Sequence, residues 1–298
     1  MMEIFLGDME GKARGALFMS GSGSNAEKTL AFHAERGGRS GWTPVAVVTD
    51  APDTSRAADI AEMHGLPLVA LDIRAFYRDR GETRISLATE RGRGIREEWT
   101  DELRSLLAPF ELDFGILAGF MPLTNITSDF PCLNVHPGDL TVEDASGSRT
   151  LVGLHTVPVE RAIFSGFDSM RSSVIIAQTY TGAGGEMDTG PILGVSTAVE
   201  IDLQGESVES LAEIASRRPE KKPKGGFGDR LDEIAKLNQE RLKEDGDWVV
   251  LPRVVDDFAS GRFALEDGGT LLHKTDGGEW LKVKTVEYGK DSKTPWPA

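Results

Sequence analysis

Five short apolar runs, separated by stretches of helical period, constrain this chain most. They are Gly15 to Ser20, Pro44 to Asp50, Leu66 to Leu71, Leu112 to Leu117 and Pro131 to Pro137. Each has the length and the Val, Ile, Leu and Phe content of a buried strand. The patterns between them predict helices: Ala26 to Arg36, Arg56 to His64 closed by Gly65, and a charged, mostly helical stretch from Thr83 to Leu107. In the last of these, Ile95, Trp99, Leu103, Leu106 and Leu107 form an apolar stripe that reads as core. Regular strand–helix alternation implies an α/β fold with a doubly wound, mostly parallel sheet.

Open sheets of this kind bind ligands at the carboxyl ends of their strands. The fifth run ends in Asn134-Val135-His136-Pro137. Residues two apart on a strand share a face, so Asn134 and His136 point one way while Leu133 and Val135 point into a core. An amide donates to an oxyanion without changing charge, and an imidazole moves protons near neutral pH. The same pair also suits the polar end of an ordinary strand. After the first run comes Gly21-Ser22-Gly23-Ser24-Asn25 and then a helix. Strand, small-residue loop and helix N-terminus present backbone N–H groups to an anion. The glycine spacing matches neither the dinucleotide fingerprint nor a Walker loop, and a tight turn capped by Ser24 fits equally well.

Further along, Ser173 to Tyr180 and Ile192 to Val199 read as strands that form an antiparallel pair. A flexible loop over residues 181–185 leads to Glu186-Met187-Asp188-Thr189-Gly190-Pro191, which places Asp188 on the connection between them. Residues 205–246 are helical and charged, interrupted by a basic, Pro- and Gly-rich run from Arg217 to Gly226 that reads as a mobile loop. Val249 to Phe258 has a helical apolar pattern. A hairpin is expected around Asp267-Gly268-Gly269, and a last strand over Trp280 to Tyr288.

Composition narrows the partners. The chain has 298 residues, and 39% are hydrophobic, enough for a large core. A formal charge of −15 argues against a nucleic-acid backbone as partner and leaves small anionic substrates open. The single cysteine, Cys132, excludes an internal disulfide and reads as a buried thiol of a reducing compartment. No run approaches the 18 or so apolar residues of a membrane span, so a cytoplasmic protein with small-molecule partners is expected, with a homo-oligomer left open. No Cys/His cluster or His-Glu-x-x-His pattern is present, and no metal is expected.

Three motifs in order carry a resemblance: Ser20 to Asn25, then Leu117-Ala118-Gly119-Phe120-Met121 leading to Asn134-Val135-His136-Pro137, then Asp188-Thr189-Gly190-Pro191-Ile192. Gly153-Leu154-His155-Thr156 and the helix from Trp248 to Gly261 add to it. On these residues the chain resembles the folate-dependent formyltransferases, and is most similar to their purine-synthesis branch, the phosphoribosylglycinamide formyltransferases. The likeness covers roughly residues 15–204 and 236–272. It implies a formyltransferase-type α/β fold and transfer of a formyl group from the co-substrate 10-formyltetrahydrofolate to an amine.

It assigns catalysis to Asn134, His136 and Asp188, with a protonated His136 and Asn134 on the oxyanion and Asp188 raising the His pKa. It gives Gly21, Ser22, Gly23, Ser24 and Asn25 to a substrate phosphate. Ala118, Gly119, Phe120, Met121 and Leu123 become a wall for the folate. His155 and Asp247 are further substrate-side candidates. The implied division is an extension at 1–14, a catalytic domain at 15–204, a helical segment with a basic insertion at 205–261, and a β extension at 262–298.

This chain also departs from the family pattern. Pro122 stands where the family commonly has Arg, and Gly138-Asp139-Leu140 replaces Ser-Leu-Leu after the His-Pro pair. The stretch up to His155 is longer and more polar, and the loop before Asp188 is also longer. These changes touch the rims of the site. They leave formyl transfer as the expected reaction and the acceptor open: phosphoribosylglycinamide, another amine such as an amino sugar, or water. A folate- or nucleotide-binding protein without catalysis is the remaining alternative.

Overall fold

A computed structural model describes residues 2–7, 11–180, 187–221, 223 and 225–298. In chain order the elements are β1 (Met2–Ile4), β2 (Ala13–Met19), α1 (Ser24–Arg36), β3 (Trp42–Thr49), α2 (Ala57–His64), β4 (Leu68–Ala70), α3 (Ile73–Asp79) and α4 (Glu90–Leu107). There follow β5 (Phe114–Leu117), β6 (Cys132–His136), α5 (Val157–Phe164), β7 (Ser169–Met170), β8 (Ser173–Ile176), β9 (Ile192–Ser196) and β10 (Val199–Glu200). The remainder is α6 (Val208–Ser216), α7 (Arg230–Leu242), α8 (Trp248–Ala259), β11 (Phe263–Glu266), β12 (Leu271–Lys274), β13 (Trp280–Tyr288) and β14 (Lys293–Pro297).

The five strands expected from the apolar runs lie side by side as β4-β3-β2-β5-β6, all parallel. Antiparallel β8 and β9 follow, with the pairing that the Asp188 connection requires. The sheet then continues: β13 pairs parallel with β9, and β12, β11 and β1 extend it antiparallel, giving 12 strands with β14. The chain is thus α/β with a mixed sheet, as expected.

Alternation along the strands splits the interior in two. Leu17 and Met19 of β2 face one core with Leu30 of α1, Ile60 of α2 and Val254 and Phe258 of α8. Ala16 and Phe18 face the other, with Phe76 of α3 and Trp99 and Leu103 of α4. Helices on both faces are what double winding means, and the direction of winding changes between β2 and β5. Burying each large apolar side chain contributes about 1.5–3 kcal/mol, so these stripes hold the helices down.

Three expectations are revised. The helical stretch from Thr83 is shorter, because the Thr89 hydroxyl accepts from Gly92 N and starts α4 there. Helix α3 was not anticipated. Asp72 caps it by accepting from Arg74 N at 2.7 Å and Ala75 N at 2.9 Å. Arg218, placed by its sequence in a mobile basic run, is instead pinned: it bonds Asp229 at 2.7 and 2.8 Å and Glu160 at 2.7 Å. Lys222 and Lys224 of that run, and the loop expected over 181–185 with Glu186, lie outside the described residues. No helix among the described residues is long and apolar enough to cross a membrane.

Candidate active site

Phe18, Leu117 and Asn134 occupy one row across β2, β5 and β6. The loops that leave these three strands therefore emerge together at one edge of the sheet. One hydroxyl ties together the loops after β2, β3 and β5. Ser20 donates to buried Asp50 after β3 and accepts from Met121 N at 2.8 Å, while Ser20 N donates to Gly119 O at 3.2 Å.

On β6, Leu133 and Val135 face the first core, and Asn134 and His136 point to the opposite side. His136 is only 3% exposed. Its Nε2 lies 2.8 Å from Leu151 O. A carbonyl only accepts, so this contact assigns the ring hydrogen to Nε2 and leaves the Nδ1 lone pair free. Nδ1 faces Asp188, whose Oδ2 is 3.8 Å away. That gap is too long for a direct hydrogen bond and short enough for strong electrostatic coupling. Burial holds the His136 pKa below its ordinary value, outweighing the opposing pull of Asp188 and the Leu151 carbonyl, and Arg149 lowers it further. Burial thus works against the protonated ring expected from the sequence, and Asp188 works for it.

Asp188 sits in a 3-10 turn, Met187–Thr189, immediately before β9. Its side chain is 29% exposed. Gln178 N holds the front of the turn through Met187 O at 3.0 Å. The guanidinium of Arg149 holds the rear, donating to Asp188 O and, at 2.8 Å, to Gly190 O.

The small-residue loop ends at Gly23, which adopts a left-handed conformation with φ 68° and is the N-cap of α1. A Cβ there would crowd the ends of Met19 and Ile60, which can move aside, so the left-handed backbone is the stronger reason for glycine. Ser24 makes no capping bond and is already helical. Asn25 donates to Asp247 at 3.1 Å across 222 residues of sequence. Asp247 ends a π-helical segment, Lys243–Asp247, that joins α7 to α8, and it also accepts from the Ser172 hydroxyl. Burial pushes its pKa up to about 6 against the pull of these two donors.

The expected folate wall divides. Ala118 is buried, and Phe120 turns inward against Phe18 and Trp99. Gly119 takes φ 83°, Met121 is 48% exposed, and Leu123 O accepts from Arg96. His155 stands exposed in the turn before α5 with φ 56° and is not packed with the other candidates. A cleft of about 580 Å³ between α1, α8 and the β13–β14 turn contains none of the expected residues. Its Arg36, Arg262 and Lys293 are paired with Asp256, Asp257 and Asp276.

The structure therefore brings Asn134, His136 and Asp188 to one edge, with the Gly21–Asn25 loop and Asp247 beside it. Sequence reading missed Arg149 and the carbonyl of Leu151. One signal was available: Arg149 is the only Lys or Arg between Pro137 and Glu160, in a stretch holding Asp139, Glu143 and Asp144.

No protein-family model matches the chain, and a search of curated proteins finds no match. Solved structures do match. Glycinamide ribonucleotide transformylase 1 of Symbiobacterium toebii is 21% identical, with a TM-score of 0.54 over 87% of this chain and 93% of that one. Phosphoribosylglycinamide formyltransferase of Coxiella burnetii gives 17%, 0.57, 93% and 99% for the same measures. The Anaplasma phagocytophilum phosphoribosylglycinamide formyltransferase gives 20%, 0.53, 89% and 96%. At these identities the likeness establishes a shared fold.

Proposed function

We propose that this chain is a folate-dependent formyltransferase, moving a formyl group from 10-formyltetrahydrofolate to the amine of a small phosphorylated acceptor. Phosphoribosylglycinamide is the first acceptor to test, since proteins named for that substrate share the fold. The observation that carries the reading is the Asp188 carboxylate 3.8 Å from Nδ1 of a buried His136. That pairing stands at the strand edge shared with Asn134.

The chemistry follows from those groups. The acceptor nitrogen attacks the formyl carbon, and the carbonyl oxygen becomes an oxyanion. The Asn134 amide donates to that oxygen. His136 takes the proton lost by the nitrogen onto Nδ1, directly or through a water in the gap to Asp188. The carboxylate stabilises the imidazolium as it forms. The bond from carbon to N10 of the folate breaks, and the same proton passes to N10. One C–N bond forms, one breaks and the proton count is conserved. The backbone N–H groups of the Gly21–Asn25 loop hold the acceptor's phosphate, and Asp247 orients Asn25 beside it. The exposed Gly119 and Met121, with the backbone of the stretch from Ala118 to Leu123, face the folate side.

The test is consumption of 10-formyltetrahydrofolate by purified protein, with and without phosphoribosylglycinamide and a panel of other amines. Formyl transfer to the phosphorylated acceptor supports the reading. Release of formate at the same rate with no acceptor identifies a hydrolase, and folate binding without turnover identifies a binding protein.

A further inference from the structure

The segment between Pro137 and Gly153 is a built unit. Val142 and Thr150 close a hairpin stem through Thr150 N to Val142 O at 3.1 Å. Glu143 and Arg149 bridge across it. The Asp144 carboxylate ties the tip, accepting from Ser146 N at 2.8 Å and Ser148 N at 3.0 Å. At the base, Leu140 N donates to buried Ser173, and Lys284 of β13 donates to Thr141 O. On the far side Arg161 of α5 grips Thr150 O at 3.1 Å and Val152 O at 2.8 Å. The segment presses so closely on β6 that a side chain at Gly138 would meet Leu151 O at 2.6 Å and the His136 ring at 3.2 Å.

From this scaffold two contacts reach the site. Leu151 O orients the His136 ring, and Arg149 reaches the turn that carries Asp188. We propose that Arg149 is a positioning residue: its guanidinium pins the Asp188 turn at two carbonyls and so sets the carboxylate opposite His136. This deepens the reading above, which gives those two side chains the proton transfer. A planar fork spans two carbonyls in one geometry, whereas a Lys ammonium is a point charge on a flexible stem. Among the described residues, the charged groups that act on His136 are Asp188 and Arg149. Glu143 acts on Arg149 in turn.

The test reads His136 itself. In protein with isotope-labelled histidine, the titration midpoint of the His136 ring is followed by NMR, its signal assigned by loss in His136→Gln. Five histidines keep that spectrum simple. In the native background Asp188→Asn removes a nearby opposite charge and lowers the midpoint by about one pH unit. In Arg149→Gln the turn is released, and the same substitution moves the midpoint by less than about a third of that, while Arg149→Lys gives a drop of about half. An equal drop in all three backgrounds overturns the proposal. If Arg149→Gln does not fold, an undiminished drop in Arg149→Lys overturns it alone. With formyl donor and acceptor present, Arg149→Gln lowers kcat about 10²-fold with donor KM within about twofold, since small misplacements carry costs of that size. Unchanged kcat overturns the proposal. The NMR comparison needs no turnover, so a protein inert toward formyl donor would remove the functional reading without deciding this one.

Discussion

Asp188 and Asp247 are both carboxylates at the same edge of the sheet, and their surroundings differ in kind. Asp188 is partly exposed and faces a titratable ring across 3.8 Å. Asp247 is buried, and its hydrogen-bond partners, Asn25 and Ser172, are neutral donors. The first setting suits a group that answers a change of charge during a reaction. The second suits one that orients an amide and keeps its own environment fixed. Burial raises the pKa of Asp247 to about 6, outweighing its two hydrogen bonds and the pull of Lys243. The comparison teaches that partner chemistry, more than residue type, separates a proton-handling carboxylate from an orienting one.

The largest effect should come from Asp188→Asn. Turnover of 10-formyltetrahydrofolate should fall by about 10³-fold, within the usual range for acid–base groups, with donor Kd within about twofold. Full activity in that variant would make the two carboxylates alike in being structural. Asn134→Ala should follow, lowering kcat by about 10²-fold in the same assay through loss of one oxyanion donor.

Asp247 sharpens the contrast through stability. Its folded pKa lies above the unfolded value of 3.8, so the stability it contributes is present below about pH 4 and lost as pH rises through about 6. The total is about 3 kcal/mol, to order of magnitude. Urea unfolding across pH 4–7 should show this slope in the native protein and its disappearance in Asp247→Asn. A slope unchanged by that substitution would mean the carboxylate is not strained by burial.

Gly23→Ala should cost about 1–3 kcal/mol in the same unfolding assay, because φ 68° strains any other residue and the space is filled. The smallest effect concerns pH. Burial lowers the His136 pKa, so the ring stays neutral to below its ordinary 6.5, and the acid limb of kcat/KM should fall below pH 6.5. A limb above pH 7 would indicate a ring protonated at rest.

The parallel half of the molecule was legible in the sequence because each strand there is a continuous apolar run between helices of clear period. The alternation of Leu133, Asn134, Val135 and His136 gave the correct faces. Asp247 was reachable only as a weak candidate, since its contact with Asn25 spans 222 residues. Helix α3 was hidden because it is seven residues long and depends on the cap at Asp72. Strand β14, with two prolines and a Trp, has no alternating pattern and forms only by pairing with β13. The hairpin within residues 138–152 escaped the sequence reading because much of its order comes from side-chain bonds, those of Asp144, Ser173 and Arg161, that carry no periodic signature. Arg149 was missed for the same reason. Its partners are main-chain carbonyls, so only its place as the lone cation of an acidic stretch pointed to it.

The pairing of β13 with β9 has a consequence for the chain's tail. It places the strand that follows Asp188 inside the sheet, hydrogen-bonded on both sides, and leaves β4 and β1, of three residues each, at the two ends of the strand order, with the five-residue β14 alongside β13. Cutting the polypeptide after Arg262 would strip β9 of one neighbour and lay bare a buried, apolar row of unpaired amides and carbonyls. Such a border is a template for sticking to a second molecule. The shortened protein should precipitate or pair with itself before its chemistry could be measured, which makes the last three dozen residues a guard against self-association.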